Sequence, residues 1–322
     1  MENSKIEWCD HTFNAWEGCA KVSPGCLHCY AETRNHRFGN DNWGKGKPRR
    51  RTSVANWKLP LKWNREVEDE IAERCKSLCD PSEDAIFRPR IFCASLSDWL
   101  DDEVPIEWLA DLLKLIHDTP NLDWLLLTKR PENWLRRIEQ ALISTQGGDA
   151  EDKDWFVKHG KDFPVSEFAS WLNVWTGGDA PSNVWIGTSV ENQDMADNRI
   201  PLLSSIPAKV RFLSVEPMLE EIRLSRVPVG CGIHWSIFGG ESGPGARPCN
   251  VAWIRDGVSQ CREMGIAPFV KQLGSDARRD NHGIDSDGCK VDITNAPCYF
   301  RHKKGGDMSE WPGDLCVREF PL

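Results

Sequence analysis

Short apolar runs recur along the chain, each ending in a cluster of polar residues: KIEW, RIFCASLSD, DWLLLTKRP, NVWIGTSVEN, VRFLSVEPM, HWSIFGGESGPGARP and APFVKQLG. A strand buried on both faces reads as a near-continuous apolar run, so these segments predict parallel strands with wet C-terminal ends. Between them, apolar positions recur at intervals of three and four. PIEWLADLLKLIHD, PENWLRRIEQALIS with a proline in its first turn, and VAWIRDGVSQCREMG predict amphipathic helices. Strand followed by helix, repeated about seven times, is the signature of a parallel α/β fold. The expected architecture is a full or partial TIM-type (β/α) barrel over residues 1–275.

Two segments break the alternation. Residues 146–183 are polar, glycine-flanked and long, and are expected to form an inserted lid or small subdomain. Residues 276–322 mix Asp, Gly and Arg with three cysteines, and are expected to be an irregular extension packed on the barrel. No internal repeat and no low-complexity tract interrupts the rest.

Composition narrows the classes. With 40% hydrophobic residues in 322, the chain can bury one large core or two modest ones, and its net charge of −9 gives the whole molecule no attraction for nucleic acid or an anionic membrane. No apolar run reaches the roughly 18 residues of a membrane span, and MENSKIEWCD lacks the layout of a secretory signal. A cytoplasmic protein without a membrane partner is expected. In that setting the 13 cysteines are thiols, metal ligands or small core residues, as Cys93 inside IFCASL would be. Sixteen tryptophans stand against two tyrosines, for which composition offers no physical reason.

In a (β/α) barrel the chemistry gathers at the C-terminal ends of the strands. Here those ends carry Ser95, Ser97 and Asp98; Thr128, Lys129 and Arg130; Ser189, Glu191 and Asn192; Glu216; Glu241 and Ser242; Lys271 and Gln272. A plainer explanation holds for any single position, because loops are wet. LLLTKR and IFGGES argue for more, since they set charge or glycine directly against the apolar run.

GCAKVSPGCLHCYAE places Cys19, Cys26 and Cys29 in the spacing C-x6-C-x2-C with no fourth cysteine beside them. Three thiolates on one short loop can hold three irons of a [4Fe–4S] cube and leave the fourth for a small molecule. Pro24 would fix φ in the intervening turn and Gly25 would permit a positive φ. The alternative is structural zinc, with His11, His28 or Cys9 as the fourth ligand, although no second C-x2-C or H-x3-H pair closes that site. Three unbound structural thiols are a further alternative. Cys289, Cys298 and Cys316 could gather into a second metal site.

IEWCDHTFNAWEGCAKVSPGCLHCYAE, FCASLSD, LLLTKRPENW, VWIGTSVENQ, RFLSVEP, IFGGESGPGARP and FVKQLG together resemble the phage Gp37/Gp68 family of uncharacterised proteins, over nearly the whole chain. That family is similar to the radical S-adenosylmethionine enzymes, whose barrels carry a three-cysteine [4Fe–4S] loop after the first strand. Most of those use C-x3-C-x2-C, so the first gap here is longer. The resemblance implies that Cys19, Cys26 and Cys29 bind the cluster and that S-adenosylmethionine occupies the vacant iron. An external electron donor would then drive its cleavage to a 5′-deoxyadenosyl radical, which takes hydrogen from a small-molecule or nucleic-acid substrate.

GGESGPGARP resembles the glycine-glycine-glutamate element of those enzymes, though there it follows an earlier strand. Gly239 and Gly240 would let a backbone approach the cofactor, Glu241 accept from its ammonium, and Arg247 face its carboxylate. A glycine-rich turn with a solvated glutamate reads equally well. Ser95, Ser189 and Glu191 suit the ribose and adenine, and Tyr30 could pack on adenine or equally be a core aromatic beside the cluster. Lys129 and Arg130 suit the cofactor carboxylate or an anionic substrate. Glu216 and Lys271 could pair with each other.

Two other functions stay open. The stretch from Arg34 to Lys58 is basic, and KGKPRRR between Trp43 and Trp57 could hold phosphates and stack bases, or be a solvated loop. A non-catalytic, zinc-stapled module binding nucleic acid or protein would use the same features. A hydrolase working through Asp98, Glu216 and Glu241 would leave the cysteine loop unexplained.

Overall fold

The computed structural model describes residues 1–77, 87–147, 166–226, 231–279, 282–284, 290–292 and 296–321. Seven strands form one sheet in chain order: β1 (His11–Thr12), β2 (Arg90–Cys93), β3 (Asp123–Thr128), β4 (Val184–Ser189), β5 (Val210–Val215), β6 (Trp235–Gly239) and β7 (Ala267–Gln272). β1 pairs with β2, β2 with β3, β5 with β6 and β6 with β7, all parallel, with His11 opposite Ile91, Arg90 opposite Asp123, and Trp235 opposite both Phe212 and Ala267. The α/β class with a parallel sheet is therefore as the alternation predicts. The first strand begins later than KIEW suggests, because the Cys9 N–H donates to the Ile6 carbonyl and closes a turn there.

Helices fill the crossovers: α1 (Tyr30–Arg37), α2 (Leu59–Ser77), α3 (Ile106–His117), α4 (Trp134–Thr145), α5 (Glu167–Thr176), α6 (Gln193–Ser204) and α7 (Val251–Glu263). The three helices read from periodicity are α3, α4 and α7, and the proline of PENW lies in a 3-10 turn, Pro131–Asn133, that leads into α4. Local chemistry starts the later ones. Ser166, Asn192 and Asn250 each accept an N–H of the first turn of α5, α6 and α7, worth about 1 kcal/mol apiece. Among the described residues no helix is long and apolar enough to cross a membrane.

The chain divides into two compact units. The first comprises Met1–Ala20, Arg34–Ile186 and Ile206–Lys209; the second comprises Lys21–Thr33, Gly187–Ser205 and Val210–Leu322. The boundary falls inside β4. In the first unit Phe13 meets Trp57 and Trp124 edge-on, and Trp175 packs against Trp134 and Trp171. In the second, Trp235 packs between Phe212, Phe269 and Phe320. The abundance of tryptophan now has a reason: Trp16, Trp63, Trp99, Trp124, Trp175 and Trp235 are fully buried and build the two cores.

Part of the expected lid is a core helix. Residues 166–176 carry α5, whose Phe168, Ala169, Leu172 and Trp175 are buried and whose Trp175 Nε1 donates to the Pro207 carbonyl at 2.7 Å. Residues 148–165 of that insertion lie outside the described residues. The C-terminal extension belongs to the second unit, where Val270 N–H donates to the Val317 carbonyl and Trp235 Nε1 to the Glu319 carbonyl.

Candidate functional site

In the second unit the segment Lys21–Thr33 carries Cys26 and Cys29. Ser23 is extended, Pro24–Cys26 turn as a 3-10 helix with proline at its start, and α1 begins at Tyr30. Gly25 does not take the positive φ expected of it. It is glycine because a Cβ there would stand 2.9 Å from the Glu191 carboxylate. The positive φ occurs at Gly18, at +109°, where a Cβ would also meet the Asn42 carbonyl oxygen at 2.4 Å.

Three side chains from distant parts of the unit hold this loop. Gly25 N–H donates to Glu191 Oε1 at 3.0 Å, while Arg199 Nη1 donates to Glu191 Oε2 at 3.0 Å. Glu191 is completely buried, so this ion pair works in a low dielectric, and removing either partner would strand a charge at a cost of about 3–5 kcal/mol. Arg247 Nη1 donates to the Pro24 carbonyl at 2.9 Å, and its Nε and Nη2 grip Glu241 in a bidentate pair at 2.9 and 2.5 Å. Glu241 also accepts from the Arg247 backbone N–H at 2.8 Å and lies 3.0 Å from His28 Nδ1. Burial alone would raise the Glu241 carboxyl, but the Arg247 donors and His28 outweigh it and hold the group at about 2.

The residues expected around a cofactor thus have partners of their own. Glu191, Glu241 and Arg247 come together on the cysteine loop. Gly240 is explained by packing, since a Cβ there would stand 2.3 Å from the Leu273 carbonyl oxygen; a Cβ at Gly239 would stand 3.3 Å from the Glu216 carboxylate. Ser189 is buried at the end of β4, and its carbonyl accepts from Arg199 at 2.9 Å. Tyr30 is 60% exposed, so its ring is not a core aromatic. Glu216 and Lys271 pair at 2.7 and 2.9 Å.

In the first unit, Cys19 sits beside Arg130, whose Nη1 and Nη2 lie 3.5 and 3.7 Å from its sulfur, and whose Nη2 donates to the Ala20 carbonyl at 3.0 Å. Arg130 also meets Asp98 at 3.1 Å and Asp101 at 3.8 Å, and Asp101 accepts from the buried Arg49 at 2.7 Å. Asp98 accepts further from Thr128 Oγ1 and from the backbone N–H groups of Lys129 and Leu100. Burial pushes the Cys19 thiol up to about 12, Arg130 opposing that rise and the two aspartates adding to it. Arg130, expected to suit the cofactor carboxylate or an anionic substrate, is buried with its guanidinium on Cys19. Lys129 precedes it, its backbone N–H donating to Asp98 at 2.8 Å, and Ser95 Oγ accepts from Asn14 at 3.0 Å.

Other expectations take their places. Cys9 is buried with its sulfur 3.8 Å from the Ile6 carbonyl, and His11 stacks on Trp63. Cys298 is half-buried and Cys316 exposed, while Cys289 lies outside the described residues. Among the described residues no group of three or more His, Cys, Asp or Glu side chains stands ready for a metal ion. The basic stretch is largely neutralised: Lys47 pairs with Asp41, Arg49 with Asp101 and Glu103, Arg50 with Glu17, and Arg51 with Asp111. Trp43 is buried.

Sequence reasoning missed Arg199 and Asp101. The signal for Arg199 was present, because an arginine amid the apolar positions of a helix needs a buried carboxylate, and Glu191 stands two turns away. No curated protein and no solved structure matches the chain. A family model described as "Protein of unknown function (DUF5131)" matches residues 3–305, nearly the whole length, and the chain belongs to that family.

Proposed function

We propose that this protein is an iron–sulfur enzyme of radical S-adenosylmethionine type, with the seven-stranded sheet as a partial (β/α) barrel. Cys19, Cys26 and Cys29 would hold a [4Fe–4S] cluster, and S-adenosylmethionine would be its small-molecule partner. The carrying observation is the clamp on the cysteine loop. Glu191 takes the Gly25 N–H and Arg247 the Pro24 carbonyl, so both grip main chain between Cys19 and Cys26. A loop held by its backbone is preorganised for ligation.

Thiols are the donors such a cluster takes. Burial keeps the Cys19 thiol protonated, so a bound cluster would have to displace that proton, as a metal does to a coordinating thiol. Arg130 donating to Cys19 is the kind of hydrogen bond to sulfur that tunes a cluster's potential. When bound, the cluster would supply the electron for reductive cleavage of S-adenosylmethionine. The protein's own work would be to fix the thiols, through Glu191, Glu241 and Arg247, and to keep Cys19 enclosed. Thiols kept reduced suit a cytoplasmic setting.

One observation favours zinc as a second reading. His28 Nδ1 lies 3.0 Å from Glu241, the carboxylate–histidine contact that leaves Nε2 as a metal ligand. The hydrolase reading has less support, because Asp98, Glu216 and Glu241 are all matched by donors.

Protein purified without oxygen should be brown, with about four irons per chain. Reduced with S-adenosylmethionine, it should release 5′-deoxyadenosine, and Cys26→Ala should lose both iron and product. A colourless protein with about one zinc per chain would sink the proposal and leave the zinc-stapled module.

A further inference from the structure

The cations conspicuous in the sequence, between residues 34 and 58, are largely matched by carboxylates. The second unit holds the opposite case in Tyr-Phe-Arg-His-Lys-Lys, residues 299–304. Tyr299 is 86% exposed, and Arg301, His302, Lys303 and Lys304 are all exposed. Among the described residues, the side chains of Arg301, Lys303 and Lys304 make no ion pair. Among the described residues, two carboxylates of this segment face its backbone or its hydroxyls. Glu310 accepts the backbone N–H groups of Arg301 and His302 at 2.9 and 3.2 Å, and Asp307 accepts from Ser309 while sensing the charges of His302 and Arg301.

The backbone beneath these side chains is fixed. Gly274 N–H donates to the Lys304 carbonyl at 3.1 Å, Leu273 N–H to Gly305 at 2.9 Å, and Ser275 Oγ to Lys303 at 2.7 Å. The segment is thereby tied to the C-terminal end of β7, the end of a parallel strand where α/β proteins bind ligands. Beside it lies a cavity of about 240 Å³ whose lining includes Ser275, Cys298, Tyr299, Phe300, His302 and Lys303. That is smaller than the roughly 300–1,000 Å³ of a drug-sized site, and suits one flat ring system. Ser275 N–H donates to the Glu241 carbonyl at 2.8 Å, so the segment adjoins the residue that clamps the cysteine loop.

Unpaired cations beside an exposed aromatic ring are what a flexible polyanion with unstacked bases requires. A duplex keeps its bases stacked and cannot use Tyr299, and a free phosphate ion would use the cations alone. We infer that Tyr299–Lys304 is a binding site for single-stranded nucleic acid, with a base on Tyr299 in the cavity and phosphates on Arg301, Lys303 and Lys304. The site includes none of Cys19, Cys26 and Cys29, and its test needs neither S-adenosylmethionine nor reductant.

The experiment is fluorescence anisotropy of the full chain with a labelled single-stranded thymidine oligomer of about 15 nucleotides. Three phosphate contacts imply that raising salt from about 50 to 200 mM weakens binding about 20-fold. The charge reversal Lys303→Glu with Lys304→Glu should weaken binding at least tenfold and flatten the salt dependence. Tyr299→Ala should weaken it about 5- to 100-fold with the salt dependence kept. Lys47→Glu, in the paired basic stretch, should leave it unchanged, and circular dichroism confirms that each variant is folded. Absence of binding, equal binding of duplex, or unaltered affinity in the 303/304 variant would overturn the inference.

Discussion

Arg130 brings both terminal nitrogens to the sulfur of Cys19, at 3.5 and 3.7 Å, while the same guanidinium meets Asp98 at 3.1 Å. One buried cation thus serves a thiol and two aspartates. Arg130→Met should cost about 3–5 kcal/mol in chemical denaturation, because Asp98 and Asp101 lose a buried counter-charge. Cys19→Ser, which keeps those pairs, should cost about 1 kcal/mol. Equal losses in the two variants would show that the thiol and not the aspartates sets the energy of this cluster.

Glu191 predicts a different readout. Glu191→Ala removes the acceptor of the Gly25 N–H and strands Arg199, so amide exchange at Gly25 should accelerate along with a loss of global stability. Glu191→Gln retains an acceptor and should slow that exchange back toward the parent rate. An exchange rate at Gly25 that ignores both changes would remove the clamp from the account.

The Glu241 carboxyl sits at about 2 against its usual 4.5. A depressed acid stabilises the fold fully above pH 4.5, and that contribution disappears as pH falls from there toward 2. Solvent near the pair reduces its worth to on the order of 1 kcal/mol. Arg247→Ala should therefore lower stability at neutral pH and make the curve between pH 4.5 and 2 shallower. Identical pH profiles for parent and variant would contradict the assignment.

The sheet and the helices α3, α4 and α7 were legible because their apolar periodicity is set by burial, which acts residue by residue along the chain. Partnership was not legible in the same way. Arg130 and Lys129 read alike in LLLTKRP, yet Arg130 is buried on Cys19, and only the third dimension distinguishes them. Glu191 and Glu241 looked like ligand groups because they end strands; their partners Gly25 and His28 are more than 160 residues away in sequence. The basic stretch read as a phosphate site for the same reason, since Asp101, Glu103 and Asp111 lie far from it along the chain.

Two glycines test the packing directly. Gly240→Ala places a methyl 2.3 Å from a backbone oxygen and should cost at least about 1–3 kcal/mol. Gly313→Ala meets nothing within 4 Å and should stay within about 0.5 kcal/mol of the parent. Thermal melts of the two variants, compared at matched concentration, decide the matter.

The clamp also sets an order of events at birth. Pro24, Gly25 and His28 leave the ribosome 166 to 223 residues before the side chains that grip them. At about 5–20 residues per second, that leaves the cysteine segment ungripped for on the order of ten seconds or more during synthesis. Whatever guards its thiols in that interval cannot be this chain's own Glu191, Glu241 or Arg247.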